Sequence, residues 1–503
     1  MSPTRDTEPA PAAPERAGTT PEQPIETRIV RSSGWVAIGF GGAQVLTLLS
    51  MLVLARLLEP AAFGLLALTW VFLTLLEQVQ ATGLGAALVY RRADVEAAAS
   101  SVLVYSPVLA LALYGATFGL APVLAGWFDA PALTSVLRVM GVLLLIRSLS
   151  IVPAALLERE LDFRSIAKAE LAGALTQVGL AVGLAVAGAG VWSLVAGYLA
   201  GFTIQGALLW ALVPWRPSPR NASWSILREM IGYGRFVGAA HIVNLVNRTF
   251  DNVVVGRVLG TAALGLYAVS FRIASSPANV ISQILGRAMF SAYSQLRGDL
   301  AACRHAYVLN LQRVTLLALP LSVTLTVAAE PIVLGILGPR WLDAVPALRI
   351  LAVYGLVKSL AATCGAVWLG RGRPQNDLIA QSAHAVLLVP AVLLLTPPFG
   401  LVGAACAMLL VDVLTGLPAL LVTMRMLELR PAAAVRALAP ALLCSLLLAG
   451  ALALLLPAQD ALPAAAALAL VVGAGAAVYA VATAVFARKL VVPIWASLRG
   501  AGT

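Results

Sequence analysis

Long apolar runs recur along the whole chain, and they limit its fold more than any other feature. A helix needs about 20 mainly apolar residues to cross roughly 30 Å of hydrocarbon. Only 11 % of the 503 residues are charged and 60 % are apolar, whereas soluble domains carry about 25 % charged residues. The sequence therefore predicts an all-α polytopic membrane protein with about fourteen transmembrane helices. The runs begin near Trp35, Ala62, Ala97, Ala132, Glu170, Val191, Tyr233, Ala262, Ala306, Ala344, Asp377, Gly400, Val435 and Ala464.

Basic residues are concentrated in every second connection between these runs. If the N-terminus is inside, 22 Lys and Arg residues lie on the inner side, and two, Arg257 and Arg340, lie on the outer side. Because cytoplasmic loops carry an excess of Lys and Arg, this asymmetry predicts that both termini are cytoplasmic. The net charge of +11 is then mostly a topology signal, with attraction to anionic membrane lipid as a by-product. We expect no nucleic-acid partner.

A sequence repeat divides the apolar runs into two equivalent sets. VLARLLEPAAFGLLAL (53–68) and VVGRVLGTAALGLYAV (254–269) share seven of thirteen positions counted from Arg56 and Arg257, an offset of 201 residues. LRVMGVLLLIRSL (137–149) and LRILAVYGLVKSL (348–360) share six of thirteen at an offset of 211, and the segments at 190–197 and 400–407 match weakly at 210. Six runs separate the copies, so both enter the membrane the same way up. The repeat predicts two parallel six-helix lobes, an arrangement known in secondary transporters.

The repeat and the loop composition together predict six segments. The first 30 residues are rich in Pro, Thr, Glu and Ala without periodicity and do not resemble a secretory signal, which favours a disordered tail. The four cysteines have no paired or metal-like spacing, so we expect neither a disulfide nor a metal site. The predicted segments are a cytoplasmic tail at 1–31, an N-lobe at 32–215, a cytoplasmic linker at 216–232, a C-lobe at 233–424, two extra helices at 425–487 and a cytoplasmic tail at 488–503.

Charged residues inside the apolar runs carry the functional signal. Each charge near the bilayer centre costs at least about 2.5–3.5 kcal/mol unless it faces a cavity or a partner. Ten basic residues lie there against the acids Glu77, Asp251 and Asp412, with Glu170 at a helix end, so pairing cannot neutralise the set. A water-filled cavity with excess positive charge, suited to an anion, is the simplest interpretation. The basic residues are Arg56, Arg138, Arg147, Arg235, Arg248, Arg272, Arg287, Arg313, Arg349 and Lys358.

Polar residues at helical spacing indicate which faces would line such a cavity. Several charges also have structural interpretations: arginines near helix ends can snorkel to the interface, Arg248 can pair with Asp251, and His241 can be a hydrogen-bonded structural residue. Arg147, Arg272 and Lys358 lie nearest the predicted mid-membrane and favour function. The polar residues that would line the cavity form stripes on two predicted helices: His241, Asn244, Arg248 and Asp251 on helix 7, and Arg272, Ser276, Asn279, Gln283 and Arg287 on helix 8. Helix 2 adds Glu77, Gln78 and Gln80, and helix 9 adds Asn310 and Arg313.

Catalytic motifs are missing from the sequence. It contains no phosphate-binding Walker loop, no HExxH and no nucleophile elbow. The predicted outer connections are short and hold few charged groups, so a large extracytoplasmic catalytic domain has no support. We therefore predict that the protein is not an enzyme and not an ATP-driven pump.

Two stretches resemble a known family. ALLERELDFRSIAKAE (155–170) and the segment from Arg235 to Asp299, with the motif ARLLEPAAFG of the first repeat, are similar to Wzx-type polysaccharide and lipopolysaccharide flippases, particularly the branch of colanic-acid exporters. The resemblance covers the chain from Trp35 to about Arg488. One departure is Ser291, where the family pattern has proline after phenylalanine.

The resemblance implies a fold, a substrate and partners. These proteins belong to the multidrug/oligosaccharidyl-lipid/polysaccharide exporter superfamily, whose two six-helix lobes form an inverted V. They move undecaprenyl-pyrophosphate-linked oligosaccharide units from the cytoplasmic to the outer leaflet of the bacterial inner membrane, by alternating access through a central cavity. A polysaccharide polymerase and a chain-length regulator are expected partners. No cofactor is expected beyond a coupling H⁺ or Na⁺.

The resemblance also suggests roles for the intramembrane polar residues. The pyrophosphate needs cations, the sugars need amides and hydroxyls, and an ion could reset the cavity by binding one state better than the other. The implied pyrophosphate ligands are Arg147, Arg248, Arg272, Arg313 and Lys358; the implied sugar ligands are Gln78, Asn244, Asn279 and Gln283; the implied coupling residues are Glu77, Asp251 and His241.

Three alternatives stay open at the level of sequence. A multidrug antiporter would share the fold, but its site should be acidic where this one is cationic. A lipid II flippase would use a similar basic cavity and two extra helices, and only the family motifs argue against it. A non-transporting scaffold of a polysaccharide synthase complex would leave the intramembrane cations as snorkelling or paired residues.

Overall fold

The computed structural model describes residues 25–81, 84–91, 94–216, 218–296, 298–459 and 462–486, and these residues are almost entirely helical. The first half contains α1 (Ile25–Leu57), α2 (Pro60–Ala81), α3 (Leu84–Tyr90), α4 (Val95–Trp127), α5 (Ala132–Met140), α6 (Val142–Arg159), α7 (Phe163–Val186) and α8 (Val191–Leu212). The second half contains α9 (Trp224–Gln295), α10 (Leu300–Val327), α11 (Ala329–Ile332), α12 (Val345–Gly370), α13 (Pro374–Met426), α14 (Pro431–Gln459) and α15 (Ala464–Phe486).

Two of these helices are too long to be single membrane crossings. α9 has 72 residues and α13 has 53, and a rise of about 1.5 Å per residue would make even α13 some 80 Å long. Each is broken at a glycine with positive φ, 82° at Gly260 and 58° at Gly400. The Tyr267 hydroxyl lies 2.8 Å from Asp251 Oδ2, so the chain turns back at Gly260. These breaks lie where the apolar pattern predicts new runs, at Ala262 and Gly400.

The protein is a multi-pass membrane protein. Among the described residues, eleven helices are long and apolar enough to cross a membrane. This number treats Pro374–Met426 as one span despite its break, and it leaves out the shorter apolar part of α1 at Gly41–Leu57. The all-α class is confirmed, while the count of fourteen crossings stays a prediction.

Local sequence explains several helix starts. The Asp162 carboxylate accepts a hydrogen bond of 3.1 Å from the backbone N–H of Ser165 at the start of α7. Asp299 accepts one of 2.9 Å from Ala302 at the start of α10. An aspartate at this position satisfies a backbone donor that has no partner within the helix.

Two helices begin earlier than the sequence predicts. α1 begins at Ile25, inside the predicted tail 1–31, and α9 begins at Trp224, inside the predicted linker 216–232. The first residues of α1 are mostly polar, and those of α9 (WSILREMIG, 224–232) mix polar and apolar side chains, so neither stretch has the continuous apolar character that predicts a membrane run. A helix can continue beyond the hydrocarbon, since polar side chains do not interrupt its backbone hydrogen bonds.

The helices pack as two groups that meet along α2 and α9. In the first half α7 packs against α1 and α8, and α4 packs against α6; in the second half α12 packs against α9, α10 and α13. α14 packs against α10 and α15, so the extra helices extend the second group. We call the end of the molecule where α1 ends and α2 begins the distal end, and the opposite end the proximal end.

Candidate functional site

The first group holds an ion pair between two of the predicted residues. Arg147 on α6 donates from Nη1 to Glu77 Oε1 on α2 at 2.5 Å. The Arg147 side chain is still 41 % exposed, against 18 % for Glu77. Its guanidinium carbon also lies 5.0 Å from the ring centre of Phe202 on α8, within cation–π range. Glu77 and Phe202 therefore fix the guanidinium and leave most of its donors available.

The second group also holds a cation, at the position that the sequence repeat aligns with Arg147. Its surroundings differ from those of Arg147. Lys358 on α12 is half-buried and donates from Nζ to the Tyr354 hydroxyl at 2.7 Å. Its ammonium lies 5.7 Å from the ring centre of Phe271. Asp412, Asp251 and Arg248 lie close enough to interact with it electrostatically. Lys358 is thus in a mixed cluster of charges.

Asp251 is the most enclosed charged residue of this cluster. It is 1 % exposed, and it accepts from the Tyr267 hydroxyl at 2.8 Å and from Asn252 Nδ2 at 3.4 Å. Arg248 is exposed and forms no ion pair with Asp251 among the described contacts. The described contacts therefore do not support the structural alternative of an Arg248–Asp251 salt bridge, since Asp251 is paired with Tyr267 and Asn252 instead.

The sequence interpretation missed His384 on α13. Its Nδ1 lies 3.2 Å from Asn247 Oδ1, and its Nε2 lies 3.4 Å from Asp412 Oδ2. Asn247 Nδ2 donates to the Gln381 carbonyl at 3.0 Å and to Gln381 Oε1 at 3.2 Å. These bonds use the amide donor and turn Asn247 Oδ1 towards the imidazole. Both ring nitrogens therefore face acceptors, an arrangement that is satisfied fully only when both carry a proton.

The structure gives less information about the other predicted site residues. Arg272 and Asn244 on α9, Arg313 on α10 and Gln78 on α2 are half-buried, and none of them forms an ion pair among the described contacts. The structure brings Arg147 together with Glu77, and Lys358 together with Asp251 and Arg248. The side chains of His241, Asn279 and Gln283 lie outside the described part of the structure.

The arrangement of the helices can be compared with solved structures, and this comparison identifies the fold. The fold matches the solved structure of the lipid II flippase MurJ in an inward closed conformation, with a TM-score of 0.76 at 14 % identity, over 91 % of this chain and 99 % of that one. The molecule therefore shares the all-α membrane fold of that structure, while the division into two six-helix lobes and two further helices stays a prediction.

The family follows from the sequence match. The profile of the family described as polysaccharide biosynthesis protein matches residues 53–346, more than half of the chain. The chain belongs to this family of polysaccharide biosynthesis proteins. The predicted class, a membrane flippase of polysaccharide and lipopolysaccharide biosynthesis, is confirmed.

Two relatives illustrate the family. The succinoglycan biosynthesis transport protein ExoT of Rhizobium meliloti (strain 1021) is 28 % identical over 339 residues, 67 % of each chain. The lipopolysaccharide biosynthesis protein WzxC of Escherichia coli (strain K12) is 22 % identical over 396 residues, 78 % of this chain and 80 % of the relative. These names describe transport and biosynthesis without a catalysed reaction, which is consistent with the prediction that this chain is not an enzyme.

Proposed function

We propose that this protein moves polyprenyl-pyrophosphate-linked oligosaccharide units from the cytoplasmic to the outer leaflet of the bacterial inner membrane. The positive-inside pattern of the sequence supports a cytoplasmic location for the proximal end and both termini. The distal end then faces outward. A polysaccharide polymerase and a chain-length regulator are the partners that would use the product. Membership of the family and the names of ExoT and WzxC support this substrate class.

Arg147 is the observation that carries the proposal. A guanidinium has five N–H donors in a planar fork, and the described contact with Glu77 uses one of its nitrogens. The exposed remainder can bind a phosphate oxygen pair through charge-assisted hydrogen bonds. Glu77 acts as the counter-ion of Arg147 and fixes its side chain in a position from which it can bind the pyrophosphate. Arg248, Arg272, Arg313 and Lys358 are the further cations proposed for the headgroup.

The polar uncharged residues and the two lobes complete the proposed cycle. Gln78 follows Glu77 directly in α2, so its amide is placed to bind a sugar next to the headgroup, and Asn244, Asn279 and Gln283 are the other proposed sugar ligands. The first lobe rocks against the second and exposes the site to one side at a time. The polyprenyl tail stays in the lipid.

The test of the substrate is transbilayer movement in proteoliposomes. Purified protein is reconstituted with a polyprenyl-pyrophosphate oligosaccharide whose glycan is detected at the vesicle surface with a lectin. We expect wild type and Arg425→Gln, an exposed arginine at the end of α13, to flip the lipid, and Arg147→Gln to lose most of this activity. A folded wild type that moves lipid II or a cationic drug in place of glycan lipids would contradict the proposal.

We also propose that protons drive the cycle, through His384. A protonated imidazole can donate to Asn247 and Asp412 together and hold α9 and α13 in register, whereas the neutral ring loses one of these bonds. Asp412, Asp251 and Lys358 supply the charges around this switch. Glu77, Asp251 and His241 remain the other candidates for coupling, and Na⁺ the other ion.

The coupling test compares glycan-lipid flipping with and without a pH gradient across the vesicle membrane. We expect His384→Gln to flip at a rate that no longer responds to the gradient, while His305→Gln, an exposed histidine of α10, responds as wild type does. An unchanged response in His384→Gln, or a response to Na⁺ alone, would remove His384 from the mechanism.

A further inference from the structure

The two copies of the repeated motif touch each other at the distal end. A Cβ atom on Gly64 of α2 would lie 1.8 Å from the carbonyl oxygen of Thr261, and one on Gly265 of α9 would lie 1.8 Å from the carbonyl oxygen of Pro60. Gly64 and Gly265 are equivalent in the repeat, and so are Pro60 and Thr261. The lobes therefore meet backbone to backbone across a pseudo-twofold axis, at a distance that only glycine permits.

The equivalent arginines of the motif cross this axis in opposite directions. Arg56 of the first lobe donates from Nε to the Ile336 carbonyl of the second lobe at 2.7 Å, and its Nη2 reaches the Gly335 carbonyl. Arg257 of the second lobe pairs with Asp129 of the first, Nη1 to Oδ2, at 3.0 Å. Neither arginine has a partner within its own lobe among the described contacts. Both therefore connect the lobes to each other.

A buried tryptophan completes the contact. Trp341 of the second lobe is 0 % exposed, and its Nε1 donates to the Ala55 carbonyl at 2.8 Å. Its ring lies edge-on to Phe63 with 5.4 Å between centres. This hydrogen bond is shielded from solvent, whereas the Arg257 and Asp129 side chains are 45 % and 78 % exposed. An exposed pair of this kind contributes little alone.

We propose that these contacts form a distal clasp, the device that holds the lobes together at this end and must open in every transport cycle. The clasp consists of Gly64 with Gly265, Arg56 with the 335–336 carbonyls, Arg257 with Asp129, and Trp341 with Ala55. The glycines set the closest approach, and the polar contacts define the register. Because the clasp matters only if the lobes rock, its role in transport rests on the proposed function.

The glycine pair provides a way to open the clasp from within. Gly64→Ala or Gly265→Ala places a methyl group against backbone that cannot turn aside, so the lobes must separate. Spin labels on exposed residues of the two lobes, Ser135→Cys and Arg340→Cys in a background without the four native cysteines, report their distance. We expect either alanine variant to shift the distance distribution to longer values. Gly115→Ala, whose Cβ would meet no atom within 4 Å, should leave it unchanged.

A cross-link provides the opposite constraint and does not depend on the glycine variants folding. Asp129→Cys with Arg257→Cys is joined by a bifunctional methanethiosulfonate in the same background. We expect flipping to stop on cross-linking and to return on reduction, whereas neither single cysteine variant should change its own flipping rate when the reagent is added. Full flipping by the cross-linked protein, or wild-type distances in both glycine variants, would overturn the clasp. If the glycan lipid is the wrong substrate, no variant flips it, while the spin-label distances still respond to Gly64→Ala.

Discussion

The two lobes keep a cation at the same repeat position and surround it differently. At the 211-residue offset Arg147 corresponds to Lys358. Arg147 has one carboxylate partner, Glu77, and lies over Phe202, whereas Lys358 bonds a tyrosine hydroxyl near two aspartates. At the 210-residue offset the counterpart of Phe202 is Asp412. An aromatic face in one lobe thus corresponds to a carboxylate in the other.

The difference extends to the residues around each cation. Asp251 and Tyr267 of the second lobe correspond to Ser50 and Leu66 of the first at the 201-residue offset, so the buried carboxylate–hydroxyl pair has no counterpart. An exposed cation with one carboxylate partner, such as Arg147, can exchange that carboxylate for an anionic group of the substrate. A cation within a cluster of titratable groups instead responds to their protonation. We infer that the surroundings of Arg147 favour headgroup binding alone, whereas those of Lys358, which is also one of the proposed headgroup cations, favour a contribution to ion coupling as well.

Reversing the charge of Arg147 should have the largest effect. Arg147→Glu removes charge-assisted hydrogen bonds worth about 1.5–3 kcal/mol each and places two carboxylates together. We expect glycan-lipid flipping to fall by about a hundredfold or more, since 1.4 kcal/mol is about tenfold. Combining it with Glu77→Arg restores the ion pair and should restore thermal stability without restoring flipping. Recovery of both would make the pair purely structural.

Removing the charge of Lys358 should have a smaller and different effect. Lys358→Met keeps the aliphatic stem but leaves Asp412 and Asp251 without their nearby ammonium. We expect a loss of about tenfold in flipping, on the scale of one charged hydrogen bond, together with a weaker response to the pH gradient. Lys168→Met, at an exposed position of α7, is the control. A loss in flipping with an unaltered gradient response would limit Lys358 to substrate binding and exclude it from coupling.

Tyr267→Phe tests the pair that the first lobe lacks. Leaving the buried Asp251 carboxylate without its hydroxyl partner should reduce the free energy of unfolding by about 1–3 kcal/mol. Thermal unfolding of the detergent-solubilised protein measures this loss, with Tyr114→Phe, a half-buried tyrosine of α4, as the matched hydroxyl deletion. Equal midpoints for the two variants would show that the Tyr267–Asp251 bond contributes no stability.

Phe202→Leu should have the smallest effect. A cation–π contact at a partly exposed site is worth about 0.5–1 kcal/mol, so we expect the apparent affinity for the glycan lipid to weaken only a few-fold. Phe118→Leu is a close control, because Arg138 lies 4.2 Å from the centre of that ring and neither residue is among the proposed ligands. A similar loss in both variants would point to a general packing effect.

The apolar pattern predicts most of the fold, because membrane helices are defined by composition along the chain. The starts of α8 at Val191 and α15 at Ala464 agree with the predicted runs, and the turns near Gly260 and Gly400 lie between predicted helices. The first turns of α1 and α9 do not follow from that pattern. They depend on helix continuation outside the hydrocarbon, where apolar character is no guide.

The site is predicted less well, since it depends on partners distant in sequence. Glu77 and Arg147 are recognisable in the sequence as charged residues within apolar runs. The neighbouring sequence does not show that they pair with each other, because they are 70 positions apart. Tyr267 and Tyr354 count as apolar in a hydropathy pattern, although their hydroxyls bond Asp251 and Lys358. His384 has no local motif that marks it as functional, and only its position between Asn247 and Asp412 gives it a role.

The reciprocal geometry of the distal clasp has an evolutionary consequence. When the same patch meets itself across a twofold axis, the interface is isologous, as in most homodimers. Gly64 and Gly265 retain that relation within one chain, and Arg56 and Arg257 still cross in opposite directions. A half-length ancestor would have formed this contact twice by binding a second copy of itself. Gene duplication and fusion would then have preserved an existing subunit interface and freed each half to acquire its own chemistry.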